Sequence, residues 1–219
     1  MDKSNEEFVY RKLKNAIVKR YIKQGTKLVE TALANQLSVS RTPVRGAIRR
    51  LVYEGFAVYE PNKGACVIKP TREEIQGTFF VRAQLEKAAA RLAAENMTPV
   101  QLDQLNAYLE EERLIFDKRD LDEYYRVNDG IHLTIARASG NEVLSRYIEE
   151  LLNRTKIYLI LYDPFFSMPI YPSIHEHQQV VDALKTGDPV AAEKEMEIHL
   201  KSSFEGMEIQ QLPDDYIAL

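Results

Sequence analysis

Four histidines are present in the 219-residue chain, and all of them lie after residue 130. Asn128 and His132 are spaced i, i+4 and share a helix face, with Ile131 and Ile135 beside His132. His177 falls in the stripe Ile174, His177, Val181, Leu184, and His199 in the stripe Ala192, Met196, His199, Ser203. One imidazole at such a position reads as a satisfied core histidine. Three on separate helices read as a shared centre. Buried imidazoles are costly unless hydrogen-bonded or coordinated, and helix bundles build metal sites from side chains on facing helices. His175, two residues from His177, points elsewhere on a helix and reads as ordinary.

A second set of residues is suited to nucleic acid. Arg41, Arg45 and Arg49 are spaced by four and share one helix face with Thr42, opposite the stripe Val44, Ala47, Ile48, Leu51. Guanidinium groups on such a face pair with guanine edges in a major groove and hold phosphates. Ser40 and Thr42 fall at the helix N-terminus, where backbone N–H groups attract phosphate. Lys63-Gly64 would form a hairpin tip that approaches the minor groove. Three arginines at this spacing alone read as a solvated face. Their setting decides otherwise, because a short helix and tight turn precede them and a hairpin follows, the order of a winged helix-turn-helix.

The elements that must position these groups are legible from periodicity. Val9, Leu13, Ala16, Ile17 and Tyr21 predict an amphipathic first helix, ended by Gln24-Gly25. Leu33, Ala34 and Leu37 predict a short second helix. Ser38-Val39-Ser40 is the turn, with Ser40 as N-cap of a third helix from about Arg41 to Glu54, which Gly55 stops. Phe56–Tyr59 and Ala65–Ile68 flank the turn-rich Glu60–Gly64 and predict a β-hairpin. Lys69-Pro70-Thr71 is the expected linker. It divides a winged helix-turn-helix at 1–70 from an all-helical domain at 71–219, with helices roughly at 71–96, 98–117, 120–138, 141–162, 172–186 and 188–208. Thr71-Arg72-Glu73-Glu74 and Thr98-Pro99-Val100-Gln101 have the capping-box pattern, and Asp120, Asn141 and Asp188 are further N-caps. Asp163–Pro172 is the one long irregular link. The fold class is mainly α: three helices plus a β-hairpin, then an all-α bundle of six or more helices.

Charge follows the same division. Residues 1–70 carry 14 Lys and Arg against 6 Asp and Glu, and residues 71–219 carry 15 against 27. A basic third on an acidic body predicts that only the N-terminal part meets a polyanion. The single cysteine, Cys66, excludes an intrachain disulfide and a Cys-based metal site. No apolar run approaches the ~20 residues of a membrane span, and the N-terminal residues lack the apolar region of a signal peptide. A cytoplasmic protein is expected.

Several runs resemble the GntR family of bacterial regulators. They are Gly25-Thr26-Lys27-Leu28-Val29-Glu30 through Leu33-Ala34, Val39-Ser40-Arg41-Thr42-Pro43-Val44-Arg45, Leu51-Val52-Tyr53-Glu54-Gly55, and Gly64 with Val67. The resemblance implies a dimer that binds near-palindromic operator DNA through Ser40, Arg41, Thr42, Arg45 and the wing glycine Gly64. The chain departs from the family at Gln24-Gly25, where Pro-Gly is usual, and at Gly46, where an acidic residue is usual. Glycine inside a helix costs ~1 kcal/mol relative to alanine, away from the contacting face.

The helical body is similar to the FadR-type branch, whose C-terminal module is the FCD domain. Val81-Arg82-Ala83-Gln84-Leu85-Glu86, Asn128 to His132 with Ala138-Ser139-Gly140-Asn141, Glu176-His177, and His199-Leu200 carry the likeness. It implies a divalent ion (zinc, nickel or manganese) held by Asn128, His132, His177 and His199. Asn128 stands where aspartate is common and offers a weaker, neutral oxygen. Neutral ligands would leave the ion's charge of about +2, favouring an anionic effector such as a carboxylate or sugar acid. Arg82 matches a position that points at the pocket and could clamp such a group; it could equally pair with Glu86 at i+4. Tyr125, Arg126, Arg154 and Tyr158 could also line the pocket.

The leading expectation is a homodimeric, effector-responsive transcription regulator and not an enzyme. Two-fold operator logic supports the dimer, and with no coiled coil visible the interface is expected in the helical domain. A metal-dependent hydrolase is the alternative, since three histidines and a water also form a hydrolytic zinc site. It wants a general base near the ion, and Asp129 points about 100° away from Asn128. A third reading is an ion that merely staples the bundle.

Overall fold

The computed structural model describes residues 2–118, 120–162 and 172–207. The chain divides into two compact units between Thr71 and Arg72. The expected link Asp163–Pro172 falls outside the described residues except for Pro172, as does residue 208 of the expected last helix.

The first unit contains α1 (Asp2–Val18), α2 (Glu30–Leu37), α3 (Arg41–Tyr53), β1 (Ala57–Glu60) and β2 (Gly64–Val67). Val9, Tyr10, Leu13 and Ile17 of α1 are buried, and so are Val44, Ala47, Ile48 and Leu51 of α3. The two helices pack by these stripes, and each fully buried large side chain contributes ~1.5–3 kcal/mol. α1 is shorter than its pattern predicts. It ends at Val18 rather than at Gln24-Gly25, and Tyr21 is 80% exposed. Arg20 takes a left-handed backbone (φ 60°), and the Ile22 N–H closes the turn on the Ala16 carbonyl at 3.0 Å.

The helix-turn-helix corner is held by backbone bonds. Ser38 lies at φ 55°, with the Val39 N–H on the Ala34 carbonyl at 3.0 Å and its own N–H on the Asn35 carbonyl at 3.3 Å. This is the Schellman arrangement, here closed by a residue other than glycine. Gly55, at φ 85°, ends α3 in the same way as predicted. The hairpin is antiparallel, with Ala57 opposite Val67 and Glu60 opposite Gly64. Lys27 adds a short third rung against Cys66.

The second unit is all helical among the described residues: α4 (Arg72–Asn96), α5 (Pro99–Lys118), α6 (Leu121–Ala138), α7 (Glu142–Tyr162), α8 (Pro172–Thr186) and α9 (Pro189–Glu205). α4 packs against α6, α7, α8 and α9, and α5 against α6 and α8. The small residues Ala89, Ala90, Ala93 and Ala94 are buried on α4. They let its neighbours come close. Ala89 joins Ala136, Ile148 and Leu152 in one core cluster. Asp120 and Asp188 cap α6 and α9 through backbone N–H groups, and the Asn141 side chain accepts from the Leu144 N–H at 3.0 Å. Thr98 and Gln101 form the reciprocal capping box. No described helix is long and apolar enough to cross a membrane.

Candidate functional site

The three histidines of the apolar stripes meet. α6 supplies His132, α8 His177 and α9 His199, each 1% exposed. Their ring centroids lie 5.3, 5.2 and 4.4 Å apart, and their ligand atoms fall within 4.8 Å of one another. Each ring is anchored from behind by a carboxylate at Nδ1. His132 meets Glu86 at 2.5 Å, His177 meets Glu112 at 2.9 Å and His199 meets Glu176 at 3.0 Å. His132 Nε2 and His199 Nε2 are 3.3 Å apart, close to the separation of about 3.4 Å that two nitrogens keep on one tetrahedral ion. His177 Nε2 is buried with no hydrogen-bond partner among the described residues. A carboxylate at Nδ1 behind each imidazole, with Nε2 left for the front, is the arrangement that orients metal-binding histidines; of the three Nε2 atoms, that of His132 also accepts from Arg82. The donor set fits a divalent ion.

Burial shapes the electrostatics. It pushes the His132 and His199 imidazoles below the ordinary histidine range; the positive Arg82 guanidinium adds to this, while Glu86 pulls His132 the other way. Neutral imidazole is the form that ligates. Burial also acts to raise Glu86, but the Arg82 charge and the hydrogen bonds from Arg82 and His132 outweigh it and hold the carboxyl at about 2. Burial raises Glu176.

Arg82 combines both roles open to it in the sequence. It is 2% exposed, and its Nε donates to Glu86 at 2.5 Å, the i+4 pair. Nη1 donates to Thr155 at 3.0 Å and Nη2 to His132 Nε2 at 3.2 Å. One guanidinium thus joins α4, α6 and α7 at the edge of the histidine centre. Asn128 is buried one turn before His132. Tyr158 donates to Glu74 at 2.9 Å. Arg126 and Arg154, which could also have lined the pocket, are exposed, and Arg126 is held by Glu111 and Glu123.

Sequence reasoning missed the three carboxylates. Their signal was present: Glu86 follows Phe79 and Arg82 in the buried stripe of α4, and Glu112 continues Leu105 and Leu109 on α5. They also correct the charge argument. Glu86 balances Arg82, and Glu112 and Glu176 oppose the two charges of an ion, so net charge alone no longer selects an anionic effector.

On the winged unit, Ser40, Arg41, Thr42, Arg45, Arg49, Lys63 and Gly64 are all exposed. Ser40 occupies the N-cap of α3, yet its side chain makes no capping bond. Arg41 and Arg45 are both tied to Glu30, and Lys63 to Glu60 at 2.6 Å. Arg49 makes no salt bridge among the described residues. Arg50 faces the protein instead, stacked 3.6 Å from the Tyr10 ring and bonded to Glu7 and Glu54. Two residues near this face were not singled out from the sequence: Glu30, and Lys27, whose side chain lies beside Gly64.

Residues 5–67 match the profile of the bacterial regulatory proteins of the gntR family, and residues 78–202 that of the FCD domain. The chain belongs to the GntR family. The HTH-type transcriptional repressor RspR of Escherichia coli K12 is 28% identical over 212 residues, 96% of this chain and 92% of the relative. The HTH-type transcriptional regulator McbR of the same strain is 31% identical over 168 residues, 76% of each chain. The solved structure of E. coli McbR/YncC has a TM-score of 0.64 at 27% identity, covering 92% of this chain and 95% of that one. The GntR unit therefore carries the DNA-binding function of a transcriptional regulator, not of an enzyme, and the FCD domain carries the histidine centre. Asp129, which follows Asn128, is paired with Lys156.

Proposed function

We propose that this GntR-family regulator binds operator DNA as a cytoplasmic homodimer, and that a small carboxylate or sugar-acid effector in the FCD domain controls its affinity. Ser40, Arg41, Thr42, Arg45, Arg49, Lys63 and Gly64 form the DNA-reading set. Asn128, His132, His177 and His199 hold a divalent ion (zinc, nickel or manganese), which supplies a Lewis-acid anchor for the effector. The observation that carries this reading is the convergence of three buried imidazoles, each with a carboxylate at Nδ1.

Arg82 supports the choice of a carboxylate. His132 Nε2 cannot both accept from Arg82 and ligate an ion. With that nitrogen committed, the Arg82 Nη2 donor needs another acceptor, and a carboxylate is the strongest. The same side chain bonds Thr155 of α7, and its own helix α4 starts at the boundary with the GntR unit. A coupling of ~1–3 kcal/mol along that helix would change operator occupancy severalfold.

Elemental analysis of the purified protein beside His177→Ala/His199→Ala tests the centre. One equivalent of a divalent ion, lost in the variant, is expected. No ion in the wild type after incubation with zinc, nickel or manganese salts would overturn the metal reading and leave the DNA-binding function intact. Operator affinity measured with and without a carboxylate effector separates regulation from a purely structural ion.

A further inference from the structure

Two arginines of the reading helix are held by one carboxylate. Glu30, in the first turn of α2, accepts from Arg45 Nε at Oε1 and from Arg45 Nη2 at Oε2, both at 3.0 Å. The same Oε2 accepts from Arg41 Nη2 at 3.2 Å. A guanidinium carries five N–H donors in one rigid plane. Glu30 takes the Nε edge of Arg45. The Nη1 group and the outer N–H of Nη2 are left over, and that edge can span guanine O6 and N7. The Arg45 and Arg41 side chains remain 48% and 59% exposed, so the free edge is open to solvent.

We propose that Glu30 is a specificity-determining positioning residue of the GntR unit: it turns the free edge of Arg45, and with it Arg41, toward base edges and withholds both from the phosphates. The inference rests on the reading of Arg41 and Arg45 as groove contacts. An unheld arginine side chain is flexible and carries its charge to the nearest phosphate. The carboxylate prevents this in two ways. Its bidentate bond fixes the guanidinium plane, and its negative charge offsets part of the attraction to the DNA backbone. Glu30 therefore favours the correct sequence and disfavours DNA in general.

The two effects have opposite signs, which makes them measurable. The probes are the tightest duplex that the wild type recovers from a randomised pool and the non-specific polymer poly(dI-dC). Affinity for each is measured against salt for the wild type, Glu30→Gln, Arg41→Ala/Arg45→Ala and the triple variant. Glu30→Gln is expected to bind the polymer more tightly and to steepen its salt slope by about one. Its preference for the selected duplex should fall about tenfold. In the double-arginine background the same substitution should change the preference less than about twofold, because its route is gone. Should Glu30→Gln fail to fold by circular dichroism, Glu30→Asp keeps the charge but is too short for the two-point bond. It should lose preference without gaining polymer affinity.

An unchanged preference in Glu30→Gln overturns the proposal. So does a full effect in the double-arginine background, which would mean that Glu30 reads a base itself. If Arg41→Ala/Arg45→Ala leaves binding to the selected duplex untouched, the groove assignment fails and this inference fails with it.

Discussion

Glu112 has no exposed surface, and its two oxygens lie 2.9 and 3.1 Å from His177 Nδ1. Glu112→Gln keeps the shape and removes the charge that makes the ring a better ligand. We expect its affinity for zinc to fall about 10–100-fold, read by competition with a chromophoric chelator. Equal affinity would show that the carboxylate only fills space. The residue was hard to find because it closes the run Glu110-Glu111-Glu112, and a run of like charges reads as a solvated face. The fold separates the three, leaving Glu110 exposed and Glu112 in the core. The histidines were legible because an imidazole interrupts an apolar stripe, whereas a glutamate among glutamates does not stand out.

At the scale of elements, helix packing puts two glycines in contrasting surroundings. Gly130 of α6 lies under the Tyr108 ring of α5, and an added Cβ would come within 2.6 Å of that rigid ring. Gly130→Ala should cost ~1–3 kcal/mol by overpacking. At Gly46 of α3 an added Cβ would meet the Glu6 carboxylate, the far end of a flexible chain that can swing away. Gly46→Ala should therefore stabilise by up to ~1 kcal/mol. Thermal melts decide both, and a loss of stability in Gly46→Ala would show that Glu6 is fixed in place. Most helix ends were legible from their caps: Asp120, Asn141, Asp188, and the box at Thr98 and Gln101. The end of α1 was not. No glycine or proline marks it, and the left-handed turn at Arg20 depends on where Ile22 must bond. The Schellman turn at Ser38 closes on a serine, which no composition rule singles out.

For the molecule as a whole, the basic third and the acidic remainder correspond to units that divide between Thr71 and Arg72. The charge split was readable because it follows the chain. The pairing of each carboxylate with its histidine was not, because the two partners lie on different helices and meet only in the fold. Their pooled effect is an acid-sensitive FCD domain when ions are chelated. His132 and His199 are depressed, so below 6.5 the unfolded chain binds protons that the folded state refuses, and stability falls as pH drops. Glu86, held at about 2, adds stability above 4.5 that is lost below it. The raised Glu176 opposes this, but it is one group against two buried imidazoles. The melting temperature of the chelated protein should fall between about pH 7.5 and about pH 5.5. A flat profile would mean that the imidazoles are protonated in the fold. At pH 7.5, zinc at 100 times its dissociation constant should restore ~2.7 kcal/mol.

The carboxylates at Nδ1 have one more consequence. Each can only accept, so each imidazole facing it carries its hydrogen at Nδ1, and the tautomer is set before any ion arrives. Arg82 can only donate, which requires the lone pair at His132 Nε2. Near neutral pH the depressed His132 and His199 rings therefore have no hydrogen ion to give up to an incoming ion, and their share of the calorimetric heat should be the same in buffers of very different ionisation enthalpy.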